Sequence, residues 1–178
     1  MPVLRPRLAC GLRESSLPGG RLSFVDFDRQ FLELSWRFFN DPEMKRLTKT
    51  PDFSRADQER WFAGLPKMRN YFAWGAMMGE TPIGATGLKK VTPADGEYWG
   101  YIAERQFWGQ GLGGEMVQFV LRQARGMGLL EVYLHVQCDN PRAVRLYTRM
   151  GFVGSGEQDG TLLMRLALAE PKVSRLLN

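Results

Sequence analysis

A short glycine-rich stretch constrains this chain more than any other feature. Residues 106–116 read QFWGQGLGGEM, and four of the six positions that begin at Gly109 are glycine. An interior glycine costs about 0.5–1 kcal/mol relative to alanine, so such a cluster marks backbone that bends unusually or that a ligand approaches closely. Gly109, Gly111 and Gly114 form the dinucleotide-binding pattern GxGxxG. Gln106 with the first two of these forms QxxGxG, a second pattern suited to an anion.

Hydrophobic periodicity predicts strands and helices on both sides of the glycines. Before them we expect a strand, two helices and three antiparallel strands, at 21–27, 28–39, 55–65, 70–79, 82–91 and 97–103. After them we expect a helix, a strand, a second helix and a terminal hairpin, at 112–125, 129–137, 141–150 and from 152 onward. The helix starts rest on N-cap residues and the stops on glycine or proline. The order predicts a mixed α/β fold.

Length and composition predict one domain. The chain has 178 residues, of which 44% are hydrophobic and 24% charged, which is ordinary for a globular protein. We expect a loose arm over residues 1–20, one domain over 21–170 and a tail over 171–178. The sequence contains no apolar run of signal-peptide or membrane-spanning length, so we expect a cytoplasmic protein with no membrane partner.

The charged and metal-binding residue types exclude two further classes of partner. The net charge is +5, but the basic residues are spread along the chain without a nucleic-acid-binding signature, so we expect no nucleic-acid partner. Two cysteines and one histidine give neither a disulfide framework nor a convincing metal site.

The dinucleotide pattern fits its surroundings poorly. Such a loop follows a buried strand directly, and an acidic residue at the end of the next strand binds the ribose. Here Glu104, Arg105 and Gln106 separate strand from glycines, and Glu131 stands at the start of its apolar run. No Lys-Ser or Lys-Thr follows the glycines, so a kinase-type P-loop does not fit either.

Two motifs together resemble the GNAT superfamily of N-acetyltransferases. The first is Gln106, Gly109 and Gly111. The second, within NPRAVRLYTRMGF, consists of Asn140, Ala143, Leu146, Tyr147, Gly151 and Phe152. The sequence around the glycines, FWGQGLGGEM, is most similar to sequences of the branch that contains ribosomal-protein N-terminal and amino-sugar acetyltransferases. The resemblance implies a mixed, mainly antiparallel sheet of about seven strands, splayed at the cofactor site and flanked by about four helices.

The resemblance also implies acetyl-CoA as cosubstrate. Backbone amides at a helix N-terminus form a ready site for its pyrophosphate. The loop residues expected to bind acetyl-CoA are Gln106, Trp108, Gly109, Gln110, Gly111, Leu112, Gly113 and Gly114. The pantetheine arm would lie beside Ile102, where the strand should splay from the next one and an amide would bind the oxyanion. Asn140 would cap its helix and could also contact substrate or cofactor.

By the same resemblance, Tyr147 is the general acid that protonates the leaving thiolate. The base is Glu97, although here the sequence departs from the family pattern. The acid usually lies two residues before the strand glycine, and that place is held by Tyr98. Because side chains alternate along a strand, Glu97 should face the opposite side unless a bulge corrects it. His135 and a chain of waters are the alternatives.

The predicted function is acetyl-CoA-dependent N-acetyl transfer, by direct attack, to a primary amine of a small molecule such as an amino sugar, or to a protein N-terminus. We expect a monomer or homodimer. The many aromatic residues between 36 and 74 suit a compact acceptor, and the charge of +5 disfavours polycations such as spermidine. A non-catalytic acyl-CoA sensor and a nicotinamide-dependent oxidoreductase are the alternative functions.

Overall fold

The computed structural model describes residues 15–168. The strands are β1 (Ser15–Ser16), β2 (Leu22–Asp26), β3 (Phe72–Met78), β4 (Thr81–Lys89), β5 (Asp95–Ile102), β6 (Glu131–Gln137), β7 (Val153–Gln158) and β8 (Thr161–Ala167). The α-helices are α1 (Arg29–Asn40), α2 (Pro42–Thr48), α3 (Arg55–Gly64), α4 (Leu112–Gly126) and α5 (Pro141–Arg149). Short 3₁₀ turns cover Leu65–Lys67 and Arg105–Phe107. None of the helices described is long and apolar enough to cross a membrane.

The eight strands form one sheet in the order β1-β2-β3-β4-β5-β6-β8-β7. Among the strand pairings of the described residues, only β5 with β6 is parallel. A dinucleotide-binding fold needs a largely parallel sheet, so this arrangement contradicts that interpretation of the glycines. The predicted mixed, mainly antiparallel α/β class is confirmed.

The middle of the sheet is split. β5 and β6 pair only from Asp95 to Glu97 opposite Glu131 to Tyr133. Beyond these residues β5 stays paired with β4 as far as Ile102, while β6 stays paired with β8 as far as Gln137. A gap therefore opens between residues 98–102 and 134–137, and the predicted splay is confirmed.

The two faces of the sheet carry different helices. On one face α4 and α5 cover the main core, where the rings of Phe24 and Phe119 stack with centroids 3.9 Å apart. On the other face Phe38 of α1 and Met44 of α2 pack with Tyr101 in a smaller cluster. The gap thus connects a face covered by α4 and α5 with a face covered by α1 and α2.

Local capping explains where the helices begin. Ser54 and Asp57 form a reciprocal capping box at α3, and Asn140 caps α5 by accepting a hydrogen bond from the amide of Ala143 at 3.2 Å. The sequence interpretation missed α2 because it took NDP at 40–42 only as a break. Asp41 in fact caps a new helix whose first residue is Pro42, the position that proline favours. This adds a fifth helix to the expected four.

The start of the described chain differs from expectation. The sequence predicts a loose arm over residues 1–20, yet Ser15 and Ser16 pair with β2 opposite Phe24 and Ser23. This short pairing gives an eighth strand, one more than expected. Residues 1–14 and the predicted tail at 171–178 lie outside the described residues.

Candidate active site

The four glycines of the loop serve two purposes. Gly109 and Gly111 have φ of 78° and 83°, which residues with a side chain rarely adopt. Gly113 and Gly114 instead face α5: a Cβ at Gly113 would lie 3.0 Å from Leu146. The first pair bends the chain into α4, and the second lets α4 approach α5.

The loop has a row of backbone amides without partners in the part of the chain that the structure describes. Those of residues 109 to 113 donate no hydrogen bond to any residue between 15 and 168, and α4 has no side-chain cap. The amides of Trp108 and Gly114, which were expected to contribute, instead donate to the carbonyls of Arg105 and Gly111 at 3.0 and 2.9 Å. Of the amides predicted to bind the pyrophosphate, the five of residues 109–113 are therefore available, at the positive end of the α4 dipole.

Distant residues hold this loop in place. The guanidinium of Arg21 donates to the carbonyl of Gln110 at 2.6 Å and to Glu115 at 3.0 Å. Glu115 also accepts from the amides of Arg21 and Leu22, at 2.7 and 3.1 Å. Sequence reasoning missed this brace because Arg21 lies about 90 residues from the loop and carries no motif.

Strand β5 presents its backbone to the gap. The amide of Ala103 donates to the carbonyl of Ile83 at 2.8 Å, and hydrogen-bonded pairs alternate along an antiparallel ladder. The backbone groups of Tyr98, Gly100 and Ile102 therefore point away from β4 and into the gap. At the open end, or mouth, of the gap, the indole N–H of Trp108 donates to the carbonyl of Ile102 at 2.8 Å, so of the Ile102 backbone groups only the amide is available.

Several predicted cofactor residues lie around this mouth. The side chain of Leu112 is buried in the core, so only its amide is available. Gln106 is exposed, and its carbonyl accepts from the side chain of Gln110 at 2.7 Å. Asn140 acts as the helix cap. Its contact with a cofactor, like those of the loop residues, stays a prediction.

Tyr147 lies on the face of the sheet that α4 and α5 cover. It is half-buried, and its ring packs edge-on against Tyr98 and Phe152, with centroids 5.8 and 5.9 Å away. The hydroxyl makes no hydrogen bond within the described residues. Burial raises the pKa of Tyr147 to about 12, so this group keeps its proton at neutral pH.

Glu97 lies on the opposite face. The β4–β5 register runs from Lys89 opposite Glu97 to the end of the strand without a bulge, so Glu97 and Tyr98 point to opposite sides. Glu97 is only 4% exposed. Its carboxylate lies 2.8 Å from the ammonium of Lys90, 3.2 Å from that of Lys89 and 3.1 Å from Nδ1 of His135.

These neighbours stabilise the ionised form of the Glu97 carboxylate. Burial disfavours the ionised carboxylate, but the hydrogen bond and charge of the two lysines, together with His135, outweigh burial and lower the pKa of Glu97. The sequence offered Glu97 and His135 as alternative bases, and the structure brings them together. The sequence did not predict that Lys89 and Lys90 lie beside Glu97.

A groove of about 390 Å³ lies beside His135 on the face covered by α1 and α2. Its other lining residues are Lys49, Gly156, Glu157, Gln158, Asp159, Thr161 and Leu163. Lys49 donates to the carbonyl of Asp159 at 2.7 Å, and Arg46 of α2 pairs with Asp139. Helix α2 is thus tied across the gap to the β6–α5 and β7–β8 connections.

Most aromatic residues expected to wall an acceptor site pack against other rings. Phe38 stacks on Tyr101 with centroids 4.5 Å apart, and Trp74 meets Phe119 edge-on at 5.3 Å. Ring partners are also found for Trp36, Phe39, Trp61, Phe62, Tyr71 and Phe72. The main role of these aromatic residues is therefore to pack the fold.

A sequence model of the Acetyltransferase (GNAT) family matches residues 29–152, a span that includes the glycine loop and Tyr147. The chain belongs to the GNAT family. The resemblance drawn from two motifs is therefore confirmed, while the closer likeness to the ribosomal-protein and amino-sugar branch stays a prediction.

Two curated relatives of this GNAT chain are mycothiol acetyltransferases. That of Parafrankia sp. is 54% identical over 127 residues, covering 65% of this chain and 39% of the relative. That of Frankia casuarinae is 33% identical over 178 residues, covering 84% and 47%. The chain spans less than half the length of these curated relatives.

A solved structure shares the fold. Spermidine N-acetyltransferase from Vibrio cholerae, in complex with CoA and spermine, superposes with a TM-score of 0.73 over 83% of this chain and 95% of that chain. The two sequences are 19% identical, so this likeness concerns the fold alone.

Proposed function

We propose that this chain is an acetyl-CoA-dependent N-acetyltransferase that acts by direct attack of a primary amine in a ternary complex. GNAT membership supports the proposal, because acetyltransferases of the family use acetyl-CoA. The observation that carries it is the gap between β5 and β6, which has five unbonded amides at its mouth and the hydroxyl of Tyr147 on one face.

The residues around the gap fit acetyl-CoA. The amides of residues 109–113 and the dipole of α4 would bind the pyrophosphate, and the Arg21 guanidinium adds positive charge beside them. The inward-facing backbone of Tyr98, Gly100 and Ile102 would pair with the amides of the pantetheine arm. Bound there, acetyl-CoA supplies an activated acetyl thioester.

Acetyl transfer also needs a donor to the developing oxyanion and a proton for the leaving sulfur. The amide of Ile102, or of Gly100 nearer the closed end of the gap, is the donor. Tyr147 supplies the proton, since a phenol with a pKa of about 12 is protonated at neutral pH and its hydroxyl can donate to the sulfur as the C–S bond breaks.

We propose that the amine belongs to a small molecule, such as an amino sugar, rather than to a protein N-terminus. The curated relatives are named for mycothiol, a name that refers to a thiol compound and not to a protein. The groove of about 390 Å³ is near the lower limit of ligand pockets. Its charges are mixed, because Lys49 faces Glu157 and Asp159, which suits an acceptor with charges of both signs.

The test combines binding with turnover. In isothermal titration we expect acetyl-CoA to bind and NADH to give no heat of binding. Thiol release is then followed at low salt with a nucleotide-linked amino sugar, a peptide with a free N-terminus, and spermidine. We expect release with at least one amine and the highest kcat/KM for the amino sugar.

Each other result contradicts part of the proposal. Binding of acetyl-CoA without thiol release for any amine would indicate an acyl-CoA sensor. Binding of NADH alone would indicate an oxidoreductase. A strong preference for spermidine would overturn the ranking of acceptors. Cytoplasmic location and a monomeric or homodimeric state stay predictions, and light scattering tests the second.

A further inference from the structure

A buried carboxylate and an exposed imidazole meet where β5 and β6 part. Glu97 is the last residue of β5 paired with β6, and His135 lies two residues beyond its partner Tyr133. Both side chains lie on the face covered by α1 and α2. Nδ1 of His135 is 3.1 Å from Oε1 of Glu97, at the closed end of the gap.

The ionised state of Glu97 fixes the tautomer of its partner. A carboxylate only accepts hydrogen bonds, so the N–H of the neutral imidazole lies on Nδ1. The lone pair then lies on Nε2, which makes no hydrogen bond within the described residues. The side chain of His135 is 44% exposed and lines the groove. The free nitrogen is thus the one an incoming amine can reach.

Glu97 is poorly placed to take a proton itself. Its side chain is 6% exposed, and ammonium groups of Lys89 and Lys90 lie within 3.2 Å of it. A buried carboxylate paired with two cations is a weak base and is shielded from a substrate.

We propose that His135 is the general base of the transfer and that Glu97 is a positioning residue that holds its ring. This inference rests on the proposed N-acetyltransferase function. The substrate ammonium gives a proton to Nε2, and the nitrogen lone pair forms the C–N bond to the acetyl carbon. The C–S bond breaks, and the sulfur takes the proton of Tyr147 on the other face of the sheet. The second proton of the amine nitrogen then leaves the new amide and restores the Tyr147 phenol through solvent.

Several ionisable groups surround His135. They come from β4 and the turn after it, β5, β6, the residue after α2, and the β7–β8 hairpin. They are Lys89, Lys90, Glu97, Tyr133, Lys49, Glu157 and Asp159.

Kinetics of two variants separate the roles. We expect His135→Gln to lower kcat/KM for the amine by about 100-fold or more, the usual range for a lost general base. Glu97→Gln should lower kcat by about tenfold with little change in KM for the amine, because the imidazole loses the carboxylate that orients it. Affinity for acetyl-CoA should change less than about twofold in both. A larger loss in Glu97→Gln than in His135→Gln would overturn the assignment.

The matched control is Glu131→Gln. It removes a carboxylate from β6, the strand of His135, where Glu131 pairs with Arg165, away from the gap. We expect kcat and KM for the amine to stay within about twofold of the wild type. A loss of kcat as large as that of Glu97→Gln would show that any lost carboxylate lowers turnover and would contradict a specific role for Glu97.

A second measurement needs neither activity nor a variant. His135 is the only histidine of the 178 residues, so its imidazole nitrogen resonances in an untagged protein need no assignment. We expect the Nδ1–H tautomer in the neutral imidazole, and the Nε2–H tautomer would overturn the proposal. If the wild type acetylated no amine, the proposed function would fail, while the tautomer would still decide whether Glu97 orients the ring.

Discussion

The two faces of the split sheet are built from the chain in different ways. On the face with α4 and α5, the loop glycines and Tyr147 come from one continuous segment, residues 106–152, in which they lie 33 to 38 positions apart. The face with the groove comes from α2, the middle of β5 and β6, and the β7–β8 hairpin. A site built from a continuous segment can be predicted from residue spacing. A site built from distant segments can be recognised only in the folded structure.

Of the three variants compared below, the one with the largest expected effect tests the continuous face. Tyr147→Phe keeps the ring packing against Tyr98 and Phe152 but removes the hydroxyl, so kcat should fall about 10- to 100-fold. Affinity for acetyl-CoA should barely change, which isothermal titration measures. Full turnover in this variant would make Tyr147 a packing residue only.

A second test on the same face concerns the loop. Gly111→Asp places a negative charge beside the unbonded amides, so affinity for acetyl-CoA should fall at least about tenfold, or about 1.4 kcal/mol. Gly128→Asp is the matched control, because Gly128 has a similar φ of 80° beyond the far end of α4. Equal affinity losses in both variants would point to backbone strain and not to a cofactor site.

The smallest effect is expected on the discontinuous face. Arg46→Ala removes the ion pair with Asp139 that ties α2 across the gap. Exposed pairs contribute about 0.2–1 kcal/mol, so KM for the amine should rise by no more than about fivefold and converge with the wild type at high salt. Arg60→Ala, which breaks a pair with Asp57 on α3, should leave KM unchanged. A rise in KM for acetyl-CoA alone would contradict the separation of the faces.

Much of the fold was predictable because its signals are local. Ser54, Asn140 and the alternating strands mark their elements within a few residues. Helix α2 was missed although Asp41 and Pro42 carry a start signal, since proline after a helix reads equally well as a stop. Strand β1 was missed because two serines have no hydrophobic alternation to detect.

The site divides in the same way. The motifs picked out the loop glycines and Tyr147, but they could not separate Gly109 and Gly111, which bend the chain, from Gly113 and Gly114, which pack on α5. The bond between Glu97 and His135 joins residues 38 positions apart. Alternation did predict the face of Glu97, but only the strand register places an imidazole beside it.

The short pairing of β5 with β6 has a mechanical consequence. Three residue pairs join the β6–β8–β7 part of the sheet to the β1–β5 part, and beyond them each part ends in an open strand edge. Beyond these three pairs, no ladder hydrogen bond between the described strands opposes rotation of one part relative to the other. An extended ligand bonded to both edges would act as a missing strand and couple the two halves. Occupancy of the gap would then set the stiffness of the whole sheet.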